Sequence, residues 1–196
     1  MFTTKEWTGL CDRYIMATYK RFPVVLTRGL GVHVWDSDGR CYLDLVAGIA
    51  VCALGHAHPT VVSAIKQQVE NLSHVSNLYH IAPQIMLARL LVENTPFDKV
   101  FFCNSGAEAN EAAIKLARKY SHDRGQTGRF EIISMEGSFH GRTMATLSAT
   151  GQEKFHRGFE PLLPGFRYVP FNDAEALEKA VTAATCAVML EPIQGE

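Results

Sequence analysis

The sequence of 196 residues lacks the patterns that mark several classes of protein. It has no apolar run long enough to span a bilayer, and its first residues lack the basic and then apolar pattern of a signal peptide. The formal net charge of -1 gives no electrostatic reason to expect nucleic acid or an anionic membrane surface. We therefore expect a globular protein with neither of these partners.

Cysteine is also used sparingly, in a way that argues against disulfides and metal. The five cysteines are odd in number and scattered, and none forms a Cys-x-x-Cys pair. They predict reduced thiols in a cytoplasmic protein. His56 and His58 could supply two ligands, but no cysteine or acid cluster lies nearby in sequence. We interpret them as loop histidines and expect no metal.

The most informative segment is a turn between an apolar run and a helix. Val100–Cys103 predicts a buried strand, Ser105-Gly106-Ala107 is a turn of small residues, and Glu108–Tyr120 has helical periodicity. A helix that begins on such a turn presents free N–H groups and a positive dipole end, which suit a phosphate. Neither Gly-Lys-Ser/Thr nor Gly-x-Gly-x-x-Gly is present at the turn, so we expect a phosphorylated ligand other than an ordinary nucleotide.

Predicted strands and helices alternate in the second half of the chain, which favours an α/β fold with a mostly parallel sheet. Ligands of such sheets bind at the carboxyl ends of the strands, from which we expect the loops Asn104–Ala107, Glu136–Arg142 and Glu191–Glu196 to emerge. We predict helices at 10–20, from Pro59, from Pro83 to about Asn94, at Glu108–Tyr120 and after an N-cap at Asn172. We predict strands within Val24–Asp44, with a tight turn at Asp38-Gly39, and at Val100–Cys103, Phe130–Met135, Arg167–Val169 and Cys186–Leu190.

The loop after the Phe130–Met135 strand carries a second candidate site. Phe139 can stack on a planar ring, and Arg142 can bind a carboxylate through two parallel hydrogen bonds. The alternative is a surface arginine beside a buried phenylalanine. His140 either orients its neighbours or is a loop histidine bonded to backbone, and we favour the second interpretation. A phosphate cradle, a stacking ring and a carboxylate-binding arginine together indicate pyridoxal 5'-phosphate as the cofactor.

Six motifs support a resemblance that runs over nearly the whole chain. They are Gly48-Ile49-Ala50-Val51, Leu54 to Pro59, Asn104 to Asn110, Phe139-His140-Gly141-Arg142, Pro170 to Asp173 and Glu191 to Glu196. Through these six motifs the chain resembles the class III, ornithine-type aminotransferases. The resemblance implies the aspartate-aminotransferase-like fold (fold type I of pyridoxal-phosphate enzymes) and a homodimer. Residues 1–60 would then form the N-terminal segment of the small domain, and residues 61–196 the first part of the large cofactor-binding domain.

The resemblance also implies roles for individual residues. Ser105, Gly106 and Ala107 would hold the cofactor phosphate, Phe139 would stack on the pyridine ring, and Glu191 would lie near that ring. Arg142 would bind the substrate α-carboxylate, and Glu196 would face the substrate side. The motifs for the Schiff-base lysine and the aspartate that pairs with the pyridine nitrogen lie outside these 196 residues. We therefore expect no catalytic residue in this chain, and we expect it to be the first part of a longer protein, inactive and poorly folded alone.

Within the family, the chain is most similar to members that act on N-acetylornithine. This similarity rests on Gly48-Ile49-Ala50-Val51, on Ala53-Leu54-Gly55-His56 shortly after it, and on Asn77-Leu78-Tyr79 downstream. The implied reaction transfers the δ-amino group of N-acetylornithine to 2-oxoglutarate, in arginine biosynthesis. Other class III activities stay open, with ornithine, succinylornithine, succinyldiaminopimelate or 4-aminobutyrate as the donor. A non-catalytic binding fragment is the interpretation of a different kind.

Overall fold

The computed structural model of the chain describes residues 2–195. The chain divides into two compact units, Met1–Ile81 and Ala82–Glu196. This division does not test the predicted boundary at residue 60 between the small-domain segment and the large domain, which stays a prediction. No helix within residues 2–195 is long and apolar enough to cross a bilayer.

The first unit begins with helix α1, Thr4–Tyr14, and a three-stranded antiparallel sheet. Our helix at 10–20 is wrong in its bounds, because Thr3 and Glu6 form a capping box that starts α1 earlier. The strands are β1, Leu26–Leu30, β2, His33–Asp36, and β3, Cys41–Leu43. The tight turn between β2 and β3 is confirmed, with Gly39 at φ 84°.

A short turn, α2, Ala47–Ala50, follows with positive φ at all four residues, and is therefore left-handed. The Asp44 carboxylate accepts from the N–H groups of Val46 and Ala47 and lies 2.7 Å from His56 Nε2. His56 is thus part of the scaffold of this turn. Helix α3, Pro59–Asn71, starts at the predicted proline, and a 3₁₀ turn, Ser76–Leu78, follows.

The second unit is built on a parallel sheet. Its helices are α4, Ala82–Glu93, α5, Gly106–Asp123, α6, Met144–Ala149, α7, Glu153–His156, and α8, Ala174–Ala180. Its strands are β4, Glu131–Met135, β5, Phe166–Val169, and β6, Thr185–Met189. The strand order is β5-β4-β6 with both pairings parallel, so the predicted α/β class and sheet direction are confirmed.

The core lies on the two faces of β4. Ile132 packs with Ile114 of α5 and with Ala145 and Ala149 of α6, whereas Ile133 packs with Val169 and against α8. Burial of one such aliphatic side chain is worth about 1.5–3 kcal/mol. This packing places α5 and α6 on one face of the sheet and α8 on the other.

The pairing of β4 with β6 contains one irregularity. Glu131 pairs with Thr185 and Ile132 with Ala187, so Cys186 is an extra residue in β6. Beyond it the pairing is regular, and Ser134 faces Met189. Cys186 is half-buried, and burial raises the pKa of its thiol, as expected for a reduced core cysteine.

Three details of the second unit differ from the sequence-based expectations. Val100–Cys103 is not a strand, and Phe101 is 72% exposed, because no strand within residues 2–195 pairs with this run. The periodicity of Glu108–Tyr120 predicts a shared apolar face that includes Leu116 and Tyr120, but both are exposed, and α5 buries Ile114 and Ser121 instead. Asp173, rather than Asn172, caps α8, since its carboxylate accepts from Ala176 N–H while Asn172 adopts φ 62°.

Candidate active site

The amino end of α5 has the capping geometry and the free backbone donors expected of an anion site. Ser105 is the N-cap, and its hydroxyl accepts from Glu108 N–H at 3.2 Å. The Glu108 carboxylate in turn accepts from Asn104 N–H at 2.6 Å. Within residues 2–195 no acceptor takes the N–H groups of Gly106 and Ala107, and no atom lies within 4 Å of a Cβ built at Gly106. Two free donors and the positive dipole end therefore face open space at the predicted turn.

The loop that follows β4 is held by side chains from three other segments. The Glu191 carboxylate, after β6, accepts from Phe139 N–H at 2.9 Å. The Thr150 hydroxyl, at the end of α6, accepts from His140 N–H at 3.0 Å, and the Asn110 amide of α5 donates to the His140 carbonyl at 2.8 Å. Consecutive peptide groups of the Phe139–Arg142 loop are therefore fixed from three directions.

The same loop touches the turn at the start of α5. A Cβ built at Gly141 would lie 2.9 Å from Ala107 Cβ and 2.7 Å from Thr146 Oγ1, so a side chain there would not fit. Gly141 also adopts φ +130°, which disfavours other residues. Two residues after Gly141, the Thr143 hydroxyl donates to the Glu111 carboxylate of α5. The phosphate turn and the Phe139–Arg142 loop are thus two walls of one site.

The backbone of His140 belongs to this loop, but its side chain is buried beneath it. Its side chain is 5% exposed, and its Nε2 lies 3.1 Å from the buried Ser134 hydroxyl, which is in turn 3.3 Å from that of Ser138. Our favoured interpretation, a histidine bonded to backbone, is therefore wrong in its partner, since the ring contacts a serine. Burial lowers the pKa of His140, and the negative charge of Glu191 opposes that shift in part.

Phe139 and Arg142 share a neighbour in Phe155 of α7. The rings of Phe139 and Phe155 meet edge to face with centroids 5.7 Å apart. The Arg142 guanidinium carbon lies 5.7 Å from the Phe155 centroid. Phe139 is half-buried and Arg142 is exposed, so the ring is partly fixed in the wall while the cation can meet a solute.

The segment after β6 completes the edge of the site. Besides the contact from Glu191, the Gln194 amide donates to the Glu136 carbonyl at 2.9 Å. Glu196 lies outside the described residues. The structure thus brings together all the predicted cofactor residues and Arg142, and their roles toward ligands stay predictions.

These residues fit a planar phosphorylated group. The free N–H donors of Gly106 and Ala107 match phosphate oxygens, and the aromatic ring of Phe139 stands on the loop that touches Ala107. Within residues 2–195 no cluster of three or more histidine, cysteine or acidic side chains could hold a metal ion.

The sequence of the chain decides its family. Residues 14–196 match the model of the family described as aminotransferase class-III. The chain belongs to the class III aminotransferases. Enzymes of this class depend on pyridoxal phosphate. The predicted resemblance is confirmed over nearly the whole length that carried it.

Individual class III proteins also resemble the chain. The chain is 58% identical over 184 residues to the acetylornithine aminotransferase of Myxococcus xanthus, covering 94% of this chain and 46% of that protein. It is 60% identical to the protein of the same name from Caldanaerobacter subterraneus, covering 94% and 47%. The ornithine aminotransferase structure from Toxoplasma gondii superposes with a TM-score of 0.93 at 31% identity, covering 100% of this chain and 47% of that one. The fold type I architecture is thereby confirmed, and the chain spans about half the length of the relatives it matches.

Sequence reasoning missed the residues that hold the site together. Asn110 and Thr150 fix the loop backbone, and Phe155 braces its side chains. Asn110 lies within the motif Asn104 to Asn110, whereas residues 143–165, which include α6 and α7, show no periodicity from which a helix could be predicted. Contacts of this kind join positions 10 to 30 residues apart, and no local pattern reports them.

Proposed function

We propose that the complete protein is an acetylornithine aminotransferase that transfers the δ-amino group of N-acetylornithine to 2-oxoglutarate. The observation that carries this proposal is the 58–60% identity, over 94% of the chain, to relatives of that name. The geometry supports it, because a phosphate cradle, a stacking ring and an exposed arginine stand on loops that contact one another.

Gly106 and Ala107 would bind the cofactor phosphate through their backbone N–H groups, with Ser105 shaping the turn as N-cap. Phe139 would lie against one face of the pyridine ring. Glu191 would fix the backbone that carries that ring. When bound, pyridoxal phosphate supplies an electron sink for the carbon that loses its proton.

Arg142 would bind the α-carboxylate of the donor by two parallel hydrogen bonds. Such a contact fixes the distance between the carboxylate and the reacting amine, and thereby orients the reacting C–H bond. A donor that lacks the carboxylate loses this orientation. The substrates of the whole protein thus include an amino acid and a 2-oxo acid.

The cellular setting is part of the same proposal. We infer a role in arginine biosynthesis, a cytoplasmic location and a homodimer. The reduced state expected of the five cysteines and the names of the relatives support these inferences. The exposed apolar residues Leu45, Val46 and Ile49 near the left-handed turn are candidates for the subunit contact.

Steady-state kinetics of the full-length protein test the proposal. The ratio kcat/KM is measured with N-acetylornithine, ornithine, N-succinylornithine, N-succinyldiaminopimelate and 4-aminobutyrate, each with 2-oxoglutarate. We expect N-acetylornithine to be preferred over free ornithine and 4-aminobutyrate by about tenfold or more. A preference for either of those two would overturn the assignment, and activity with none of the donors would favour the non-catalytic interpretation.

Two variants of Arg142 test its proposed role in the same kinetic experiment. Arg142→Ala should raise KM for the donor, while the visible absorbance of the bound cofactor stays as in the wild type. Arg142→Lys retains the charge but not the planar pair of donors, so it should restore activity only in part. Loss of cofactor absorbance in Arg142→Ala would contradict the role of Arg142 in binding substrate.

A further inference from the structure

Phe155 contacts two side chains of the Phe139–Arg142 loop without belonging to that loop. Its ring meets the Phe139 ring edge to face at 5.7 Å, with the planes inclined at 63°. Its face receives the Arg142 guanidinium at 5.7 Å. The distances lie within the ranges in which aromatic pairs and cation–π contacts attract. One side chain therefore acts on the ring predicted to stack and on the cation predicted to bind carboxylate.

The backbone on both sides of Phe155 is anchored. Gln152 donates from its amide to the carbonyls of Gly137 and Ser138, at 3.3 and 3.0 Å. His156 is buried, and its Nε2 lies 3.1 Å from the Leu147 carbonyl and 2.7 Å from that of Thr150. Since both partners of this nitrogen are acceptors, Nε2 carries the hydrogen. The chain is thus anchored three residues before Phe155 and one residue after it.

We propose that Phe155 is a positioning residue that orients Phe139 and Arg142 together. Its edge contact limits rotation of the Phe139 ring, and its face holds the guanidinium on one side of the loop. Loss of the ring should disturb cofactor stacking and carboxylate binding at once. The proposal rests on the proposed function, in which Phe139 faces the cofactor and Arg142 the substrate.

The test compares variants of the full-length protein that separate ring chemistry from packing. Phe155→Leu keeps an apolar side chain but removes the π face, and Phe155→Tyr keeps the face. Phe159→Ala is the matched control, because Phe159 lies four residues along and is 58% exposed. Each variant is assayed with N-acetylornithine and with N-acetyl-1,4-diaminobutane, which lacks only the carboxylate. The visible circular dichroism of the bound cofactor is recorded as a readout independent of turnover.

We expect Phe155→Leu to raise KM for N-acetylornithine by about two- to fivefold, the factor that an exposed cation–π contact is worth. KM for the carboxylate-free donor should stay constant, and the visible circular dichroism should change in shape. Phe155→Tyr should restore both values, and Phe159→Ala should match the wild type. In the Arg142→Ala background, Phe155→Leu should add nothing further to KM.

A Phe155→Leu variant that equals the wild type in KM and in circular dichroism would overturn the proposal. So would equal KM changes for the two donors, because a merely structural role would affect both alike. Failure of the proposed function looks different, since the wild type would then prefer another donor. The same comparison, made with that donor and its decarboxylated analogue, would still decide the role of Phe155.

Discussion

The Glu191 carboxylate accepts a hydrogen bond from Phe139 N–H at 2.9 Å across 52 residues of sequence. The contact joins the segment after β6 to the loop after β4, so two neighbouring parallel strands deliver its two partners to one edge of the sheet. An N–H bond to a charged acceptor contributes about 1.5–3 kcal/mol, more than a neutral one.

Glu191→Leu should therefore release the Phe139–Arg142 loop. We expect the free energy of unfolding of the full-length protein to fall by about 1–3 kcal/mol, because the Phe139 N–H loses its acceptor. Glu191→Gln retains an acceptor oxygen and should lose about half as much. Urea unfolding measures the difference, and equal stabilities for the Gln and Leu variants would show that the hydrogen bond contributes nothing.

The Asn110 amide joins α5 to the same loop by donating to the His140 carbonyl. Asn110→Ala should lower the free energy of unfolding by about 1–2 kcal/mol, since a part-buried carbonyl is left unpaired. Asn110→Asp should be worse than Asn110→Ala, because a carboxylate would face that carbonyl. Thermal unfolding at pH 7.5 ranks the two variants, and the reverse order would contradict the assigned contact.

Gly141 permits the close approach of the loop to the turn at Ala107. Gly141→Ala should destabilise the protein by about 1–3 kcal/mol through its positive φ and its clash with Ala107 and Thr146. It should also weaken cofactor binding, measured as the dissociation constant from a cofactor titration. Adding Ala107→Gly removes one of the two clashing atoms and should restore part of the affinity. If the double variant binds no better than Gly141→Ala, the two walls do not meet as described.

His140 predicts a dependence of stability on pH. Burial lowers its pKa below the ordinary 6.5, so the folded imidazole takes up a proton only in more acid solution than the unfolded one. The unfolded state then holds more protons below about pH 6.5, and the free energy of unfolding falls as the pH drops through that value toward the folded-state pKa. His140→Gln should remove this contribution, whereas exposed His80→Gln should not. Urea unfolding at pH 7.5 and 5.5 measures it, and identical losses in wild type and His140→Gln would refute it.

The sequence allowed the sheet and the turn at the start of α5 to be predicted because their signals are local. Apolar runs bounded by polar turns mark β4 and β6, and Ser105-Gly106-Ala107 shows where α5 begins. Val100–Cys103 has the same apolar signal but no ladder partner within residues 2–195, and a strand exists only as part of a pairing.

The residues that hold the Phe139–Arg142 loop in place could not be predicted from such local signals. Thr150 and Phe155 act on a loop that precedes them by ten or more residues, through α6 and α7, which are only six and four residues long. Helices this short carry too few turns for periodicity to show. Their contribution depends on tertiary contacts, which a single sequence does not display.

The regular pairing of β6 with β4 after Cys186 sets the position of Glu191 relative to Phe139. One residue of strand advances the chain by about 3.3 Å and reverses the side to which side chains point. Deleting the regularly paired Val188 while the Ile132–Ala187 pairing persists would bring Glu191 one position out of step with Phe139, whereas deleting the extra Cys186 would leave Ala187 opposite Ile132. An insertion in the exposed stretch at 157–161 would leave that alignment intact. Length changes in the regularly paired part of β6, Ala187–Met189, should therefore be far less tolerated than length changes in that stretch, although neither segment supplies a proposed ligand-binding residue.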